Sequence, residues 1–159
     1  MKREPFVGAS DTEIEQFLVS HGCRQVSSSV REIFRLLGRR SGVWFDGTDF
    51  GTDVIDSETK SHALAALVEL DHEICDLDGM LVLSAHQGYA FHVIDGQDLQ
   101  LDDPPVWDVV DGDYAAKVWP STSDWFIAMA PDVEEIRERA DRMRAKGRVS
   151  PWEEDLEPW

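Results

Sequence analysis

Two apolar stretches set back to back, Met80-Leu81-Val82-Leu83 and Tyr89-Ala90-Phe91-His92-Val93-Ile94, constrain the fold more than any other part of the chain. Between them lie Gln87 and Gly88, and glycine at that place predicts a tight hairpin turn. A two-residue turn sets His86 opposite Tyr89, Ser84 opposite Phe91 and Leu83 opposite His92. Side chains alternate across a strand. One face then carries Val82, Ser84, His86, Tyr89, Phe91 and Val93; the other carries Leu81, Leu83, Ala85, Ala90, His92 and Ile94. Both are mostly apolar. A strand pair buried on both sides belongs in the middle of a sheet, so the rest of the chain must supply its cover.

The segments before the hairpin read mainly as helices. Ser10-Asp11-Thr12-Glu13 is a capping box, opening a helix from Asp11 to His21 that Gly22 ends. Val30, Ile33, Phe34 and Leu37 form one apolar stripe of a second helix, with Ser29 and Glu32 as a capping pair or a start at Ser27. Its polar side carries Arg31, Arg35, Arg39 and Arg40, which are expected to pair with the acidic middle of this same chain rather than to hold a ligand. Val43-Trp44-Phe45 reads as a strand and Asp46 to Asp53 as an acidic loop. A third helix is expected from about Ser61 to Leu77, capped by Ser57 or Ser61.

After the hairpin, Asp95-Gly96-Gln97-Asp98 reads as a turn. Strands follow at Val106 to Val110 and Ala115 to Trp119, joined at Asp111-Gly112. Ser121 or Ser123 starts a short helix bearing Trp125, Phe126 and Met129. Asp132 and Glu135 open a last helix, Val133 to Lys146. The expectation is one domain over residues 1–147, followed by an acidic tail, 148–159, that holds Trp152 and Trp159. The two cysteines, Cys23 and Cys75, have no metal spacing, which suggests free thiols in the reducing cytoplasm. The first residues lack a signal peptide's apolar core, and no apolar run is long enough to span a bilayer.

The net charge of −17 is unevenly placed: Val43 to Asp113 holds 17 acidic residues and one basic one, Lys60. The rest of the chain is close to neutral, with 15 acids and 14 bases. That distribution speaks against nucleic acid, whose phosphates need Lys and Arg, and against an anionic membrane surface. It suits a basic protein partner, because a surface of one sign steers its opposite. Solubility alone is the plain alternative.

Little in the sequence points to catalysis. His86 and His92 fall on opposite faces in the expected register and so do not converge on a metal. His62 and His72 sit ten apart on the third helix, on different faces, and His21 ends the first. The aspartates at 46, 49 and 53 lack the spacing and closing glutamate of a calcium loop. No Gly-x-Ser-x-Gly elbow, phosphate loop, helical His pair for zinc or dinucleotide fingerprint occurs. The expectation is a protein without enzyme activity, metal or cofactor. A carboxylate-based hydrolase and a small-ligand or peptide sensor remain as alternatives.

The order of parts carries a resemblance. Val26-Ser27-Ser28-Ser29-Val30-Arg31-Glu32-Ile33-Phe34 follows a capped first helix. His86-Gln87-Gly88-Tyr89 and Asp103-Pro104-Pro105-Val106-Trp107 come next, and then a Ser-led helix with Trp125-Phe126. From about Gly8 to Ala130 the chain resembles the SUKH superfamily, the Smi/Knr-type fold of bacterial immunity proteins and a fungal cell-wall assembly regulator. Where that pattern has Leu-Pro before the second helix, this chain has Val26-Ser27. The resemblance implies an α+β domain with a central twisted antiparallel sheet flanked by helices. It implies a binding protein that neutralises a cognate toxin, often a nuclease, by direct docking. The expected contact residues are aspartates around an aromatic anchor: Trp44, Asp46, Asp49, Asp53, Asp102, Asp103 and Asp108.

Overall fold

The computed structural model describes residues 6–151; the N-terminal segment before Phe6 and Trp152 with Trp159 lie outside the described residues. The fold is α+β. Helices α1 (Asp11–Ser20) and α2 (Ser28–Leu37) lead to the short strand β1 (Asp49–Phe50) and helix α3 (Ser57–Val68). Strands β2 (Leu81–His86) and β3 (Ala90–Ile94), a 3-10 turn at Gly96–Gln100, and strands β4 (Val106–Val110) and β5 (Tyr114–Trp119) follow. Helices α4 (Thr122–Ala128) and α5 (Val133–Ala145) close the described chain. The strands form one antiparallel sheet in the order β1-β2-β3-β4-β5, with β3 at its centre.

The central hairpin is buried on both faces, as its composition requires: Leu81 to Ala85, Phe91, Val93 and Ile94 are all inaccessible. Its register departs from the expected one between Ser84 and the turn; beyond a bulge at Leu83, Val82 faces Val93 and Leu81 faces Ile94 as a two-residue turn requires. Gln87 and Gly88 do form the turn, both with positive φ (49° and 75°), and the Tyr89 amide donates to the His86 carbonyl. The ladder, however, resumes only at Ala90, which pairs with His86. Tyr89 is left over, and its carbonyl accepts from the Asp111 amide instead. The slip of one residue sets Ser84 opposite His92 and brings His86 and His92 onto the same face.

Local signals place the helix starts well. The Ser10–Glu13 capping box forms in both directions, and Gly22 follows α1 with φ 70°. Asp132 caps α5 and Ser121 caps α4. The stripe Val30, Ile33, Phe34 and Leu37 is buried as expected. Helix α2 begins after Ser27, and its second capping pair is not made, because the Ser29 amide donates to the Asp102 carbonyl.

Two elements differ from the sequence reading. Val43-Trp44-Phe45 is not a strand but consecutive turns, bounded by Gly42 and Gly47 at φ 55° and 75°. The strand there is β1, inside the stretch expected to be loop. Val43 and Phe45 still reach the interior, so their apolar character reflects burial rather than extension. Helix α3 starts earlier, capped by Asp56 with Thr59, and stops at Val68, so His72, Ile74 and Cys75 lie beyond it. In the segment after it, the buried Asp95 carboxylate accepts the amides of Cys75 and Asp76, at 2.7 and 2.9 Å, and so ties these residues to the end of β3 in place of helical bonds.

An aromatic series joins the helices to one sheet face. Phe17 meets Phe34, Phe34 stacks on Phe50, and Phe50 stacks on Phe45, which lies 5.5 Å from Trp125. Trp125, fully buried, carries α4 onto His92. Such rings bury large apolar areas and dominate core energetics.

Candidate functional site

The one-residue slip creates a polar cluster on the sheet face beneath Trp125. Ser84 Oγ and Trp125 Nε1 each lie 2.9 Å from His92 Nδ1. An indole N–H only donates, so Nδ1 is the acceptor and Nε2 carries the proton. Nε2 faces Asp108 Oδ1 at 3.7 Å, and the other Asp108 oxygen accepts the Tyr114 hydroxyl. Burial holds the His92 pKa below its ordinary value, with the Asp108 charge opposing and His86 adding to the depression. The imidazole is therefore neutral near pH 7.

Serine, histidine and aspartate in that order are the parts of an acyl-transfer triad. The environment works against that chemistry. Ser84 is 1% exposed, lying under Trp125, and the indole already occupies the nitrogen that would take the serine proton. A substrate carbonyl has no approach to Oγ. What the cluster does is fix α4 and the β3–β4 pair in one register through satisfied buried hydrogen bonds. The Cys23 thiol is no readier: burial pushes it up to about 11, against the opposing charge of Lys60, so it stays protonated at neutral pH.

The seven residues expected at an interface fall in four places. Asp102 and Asp103 clamp two helix starts. Asp102 accepts Ser28 Oγ and, through its carbonyl, the Ser29 amide at the head of α2; Asp103 accepts the Ser123 amide at the head of α4. Thr122 adds a 2.8 Å bond to the Pro104 carbonyl. Carboxylates are favoured at helix N-termini, so this loop's acidity has a structural use, although both aspartates remain exposed. Asp108 lies on the sheet face with His92.

Trp44 stacks on Phe126 with ring centroids 4.5 Å apart, and Asp46 forms an ion pair with Arg139 of α5. Both line a cleft of about 370 Å³ together with Met129, Glu135 and Ile136. Asp49 borders a second cleft, about 460 Å³, beside Arg39, Arg40 and Phe50. Asp53 meets Arg39 at 3.6 Å. The seven do not converge on one patch. The nearest link between groups is His86, whose Nδ1 donates to the Gly47 carbonyl on the same sheet face as His92 and Asp108.

The arginines of α2 turn mainly to α1 rather than to the acidic middle. Arg31 holds Asp11 and Glu15, Arg35 holds Asp11 and Glu32, and Arg39 is shared between Glu13 and Asp53. Lys60, the one base of the middle segment, is buried and donates to the carbonyls of His21 and Asp78. Among the described residues, Asp46 and Asp53 are the only acids between Val43 and Asp113 that form an ion pair with an arginine.

Sequence reasoning missed three exposed residues at this end of the sheet. Tyr114, the first residue of β5, donates to Asp108, and Asp111 and Asp113 form the turn before it. The Asp111-Gly112 turn between two apolar runs was the available signal. Among the described residues, no three His, Cys, Asp or Glu side chains come together to hold a metal ion, and no helix is long and apolar enough to cross a membrane. No family model, curated protein or solved structure matches this chain.

Proposed function

We propose that the protein is a binding protein without enzyme activity, which neutralises a basic protein partner through an acidic surface in the manner of a SUKH-type immunity protein. A toxin with a cationic groove, such as a nuclease, is the partner chemistry that fits. One observation carries the reading. The acids between Val43 and Asp113 fold with almost no counter-ions of their own, since the arginines of α2 are largely committed to α1 and Lys60 is inside. Carboxylates left uncompensated on the outside of a folded protein raise the encounter rate with a positive surface and repel negative ones. The inaccessible Ser84 supports a role other than hydrolysis. Co-elution with the product of the neighbouring gene, in low and in high salt, tests the proposal. The expected outcome is a complex whose association rate falls steeply with salt; no complex at either salt would sink it.

A further inference from the structure

We propose that the outer edge of β5 takes up an extended cationic segment of the partner as a sixth strand, its basic side chains lying across Ala116 toward Asp108. This rests on the functional reading above and gives it a surface and a mode of recognition. The first observation is the open edge. Strand β5 is hydrogen-bonded to β4 alone, and among the described residues no other backbone bond reaches residues 114–119. None of its six residues is buried, and Tyr114 and Val118 are 41% and 47% exposed. An unpaired strand edge is a template for another chain, and addition of a strand is a common mode of peptide recognition.

The second observation is the charge beside that edge. Ala116 is the cross-strand partner of Asp108, and Tyr114 that of Val110, so Tyr114, Ala116 and Asp108 share one face. A sixth strand would lie roughly 10 Å from β4, two strand spacings away. Between them stand the methyl of Ala116 and, alongside it, Tyr114, whose hydroxyl already donates to Asp108, so a long basic side chain passing over Ala116 comes close to a carboxylate that is partly covered. Asp111 and Asp113 supply further exposed charge where the strand begins. The other face differs. There Lys117 sits with its Nζ 5.4 Å from the centre of the Trp107 ring, and a basic partner residue would meet a like charge. The edge therefore selects an alternating pattern, basic on the Asp108 face and neutral on the other.

The same features disfavour self-pairing. A second copy carries the same −17 and would bring its own acids against these. A register slip leaves Val118 as an extra residue, so the regular edge runs only from Tyr114 to Lys117.

An acetylated and amidated peptide, Arg-Val-Arg-Val-Arg-Val, serves as the probe, with calorimetry on the whole protein at low salt. Two isomers carry N-methyl groups on one or the other alternate set of amides; both keep the charge, and each removes the donors of a single edge. Methylation of one set should weaken binding by about tenfold or more, and methylation of the other should leave it nearly unchanged. The double change Asp111→Lys and Asp113→Lys, in an exposed turn, should also weaken the parent peptide. If both isomers bind as the parent does, the edge is not used, while attraction by charge alone survives. If neither the parent peptide nor a basic protein binds at low salt, the functional reading itself falls. A sedimentation mass of two chains without peptide would assign the edge to a second copy and overturn the proposal.

Discussion

The sheet ends differently on its two sides. Strand β1 is two residues long, and Phe50 is packed within the aromatic series. Arg39 there is shared by Glu13 and Asp53. Strand β5 is six residues long and unpaired on its outer side, and the acids of its turn meet no base among the described residues. Both margins are acidic in sequence. What separates them is whether the helices that follow or precede bring arginines and rings to cover them. A count of charges along a chain therefore overstates the surface available to a partner. The charge that is compensated belongs to the fold, and only what is left over can serve the recognition proposed above.

The contrast predicts a graded set of effects on stability. The largest belongs to Trp125→Ala, which empties the space under Phe45 and Phe50 and strips His92 of a donor; it should cost about 3–5 kcal/mol by urea denaturation. Asp95→Ala comes next. It orphans the amides of Cys75, Asp76 and Gln97, and a loss of about 2–3 kcal/mol is expected. Ser10→Ala breaks the capping box of α1 and should cost about 1 kcal/mol. At the open margin Val118→Ser should change stability by less than about 0.5 kcal/mol. A cost at Val118 equal to that at Ser10 would mean that the β5 edge is covered in solution, and the contrast would be broken.

Acid should act on the covered side as well. Burial lowers the pKa of both His92 and His21 from the ordinary 6.5. The unfolded chain then takes up protons more readily than the folded one, so stability is full above about pH 6.5 and falls as pH drops toward the depressed values. Urea midpoints measured between pH 7.5 and 5.5 should decline, and His92→Asn, whose amide oxygen can still accept from Trp125, should flatten the slope. An unchanged slope in that variant would show that His92 takes up its proton alike in the folded and the unfolded chain.

Much of the helical framework was legible from local chemistry. The capping residues Ser10, Asp132 and Ser121 satisfy donors within their own first turn, and the α2 stripe follows one period, so no distant partner is needed to read them. The errors all involve long-range contacts. Asp95 takes the amides of Cys75 and Asp76, a contact invisible from the leucine spacing. Val43 to Phe45 is apolar because Phe45 enters the aromatic series, not because the chain is extended there. Tyr89 drops out of the hairpin because its carbonyl finds Asp111, and that one slip decides whether Ser84 or Leu83 faces His92. The candidate site suffered most. Nothing local separates Asp102 and Asp103, which clamp helices, from Asp111 and Asp113, which are left to the solvent.

Lys117 lies exposed on β5, whereas Lys60 is shut inside against the carbonyls of His21 and Asp78. Random amine coupling to a biosensor chip would tether a share of molecules through Lys117 and press their open margin against the matrix. Such a surface would understate any affinity carried there. Attachment through the exposed thiol of Cys75, on the segment that Asp95 holds, leaves that amine untouched, and the difference between the two immobilisations would report whether the proposed partner uses this margin.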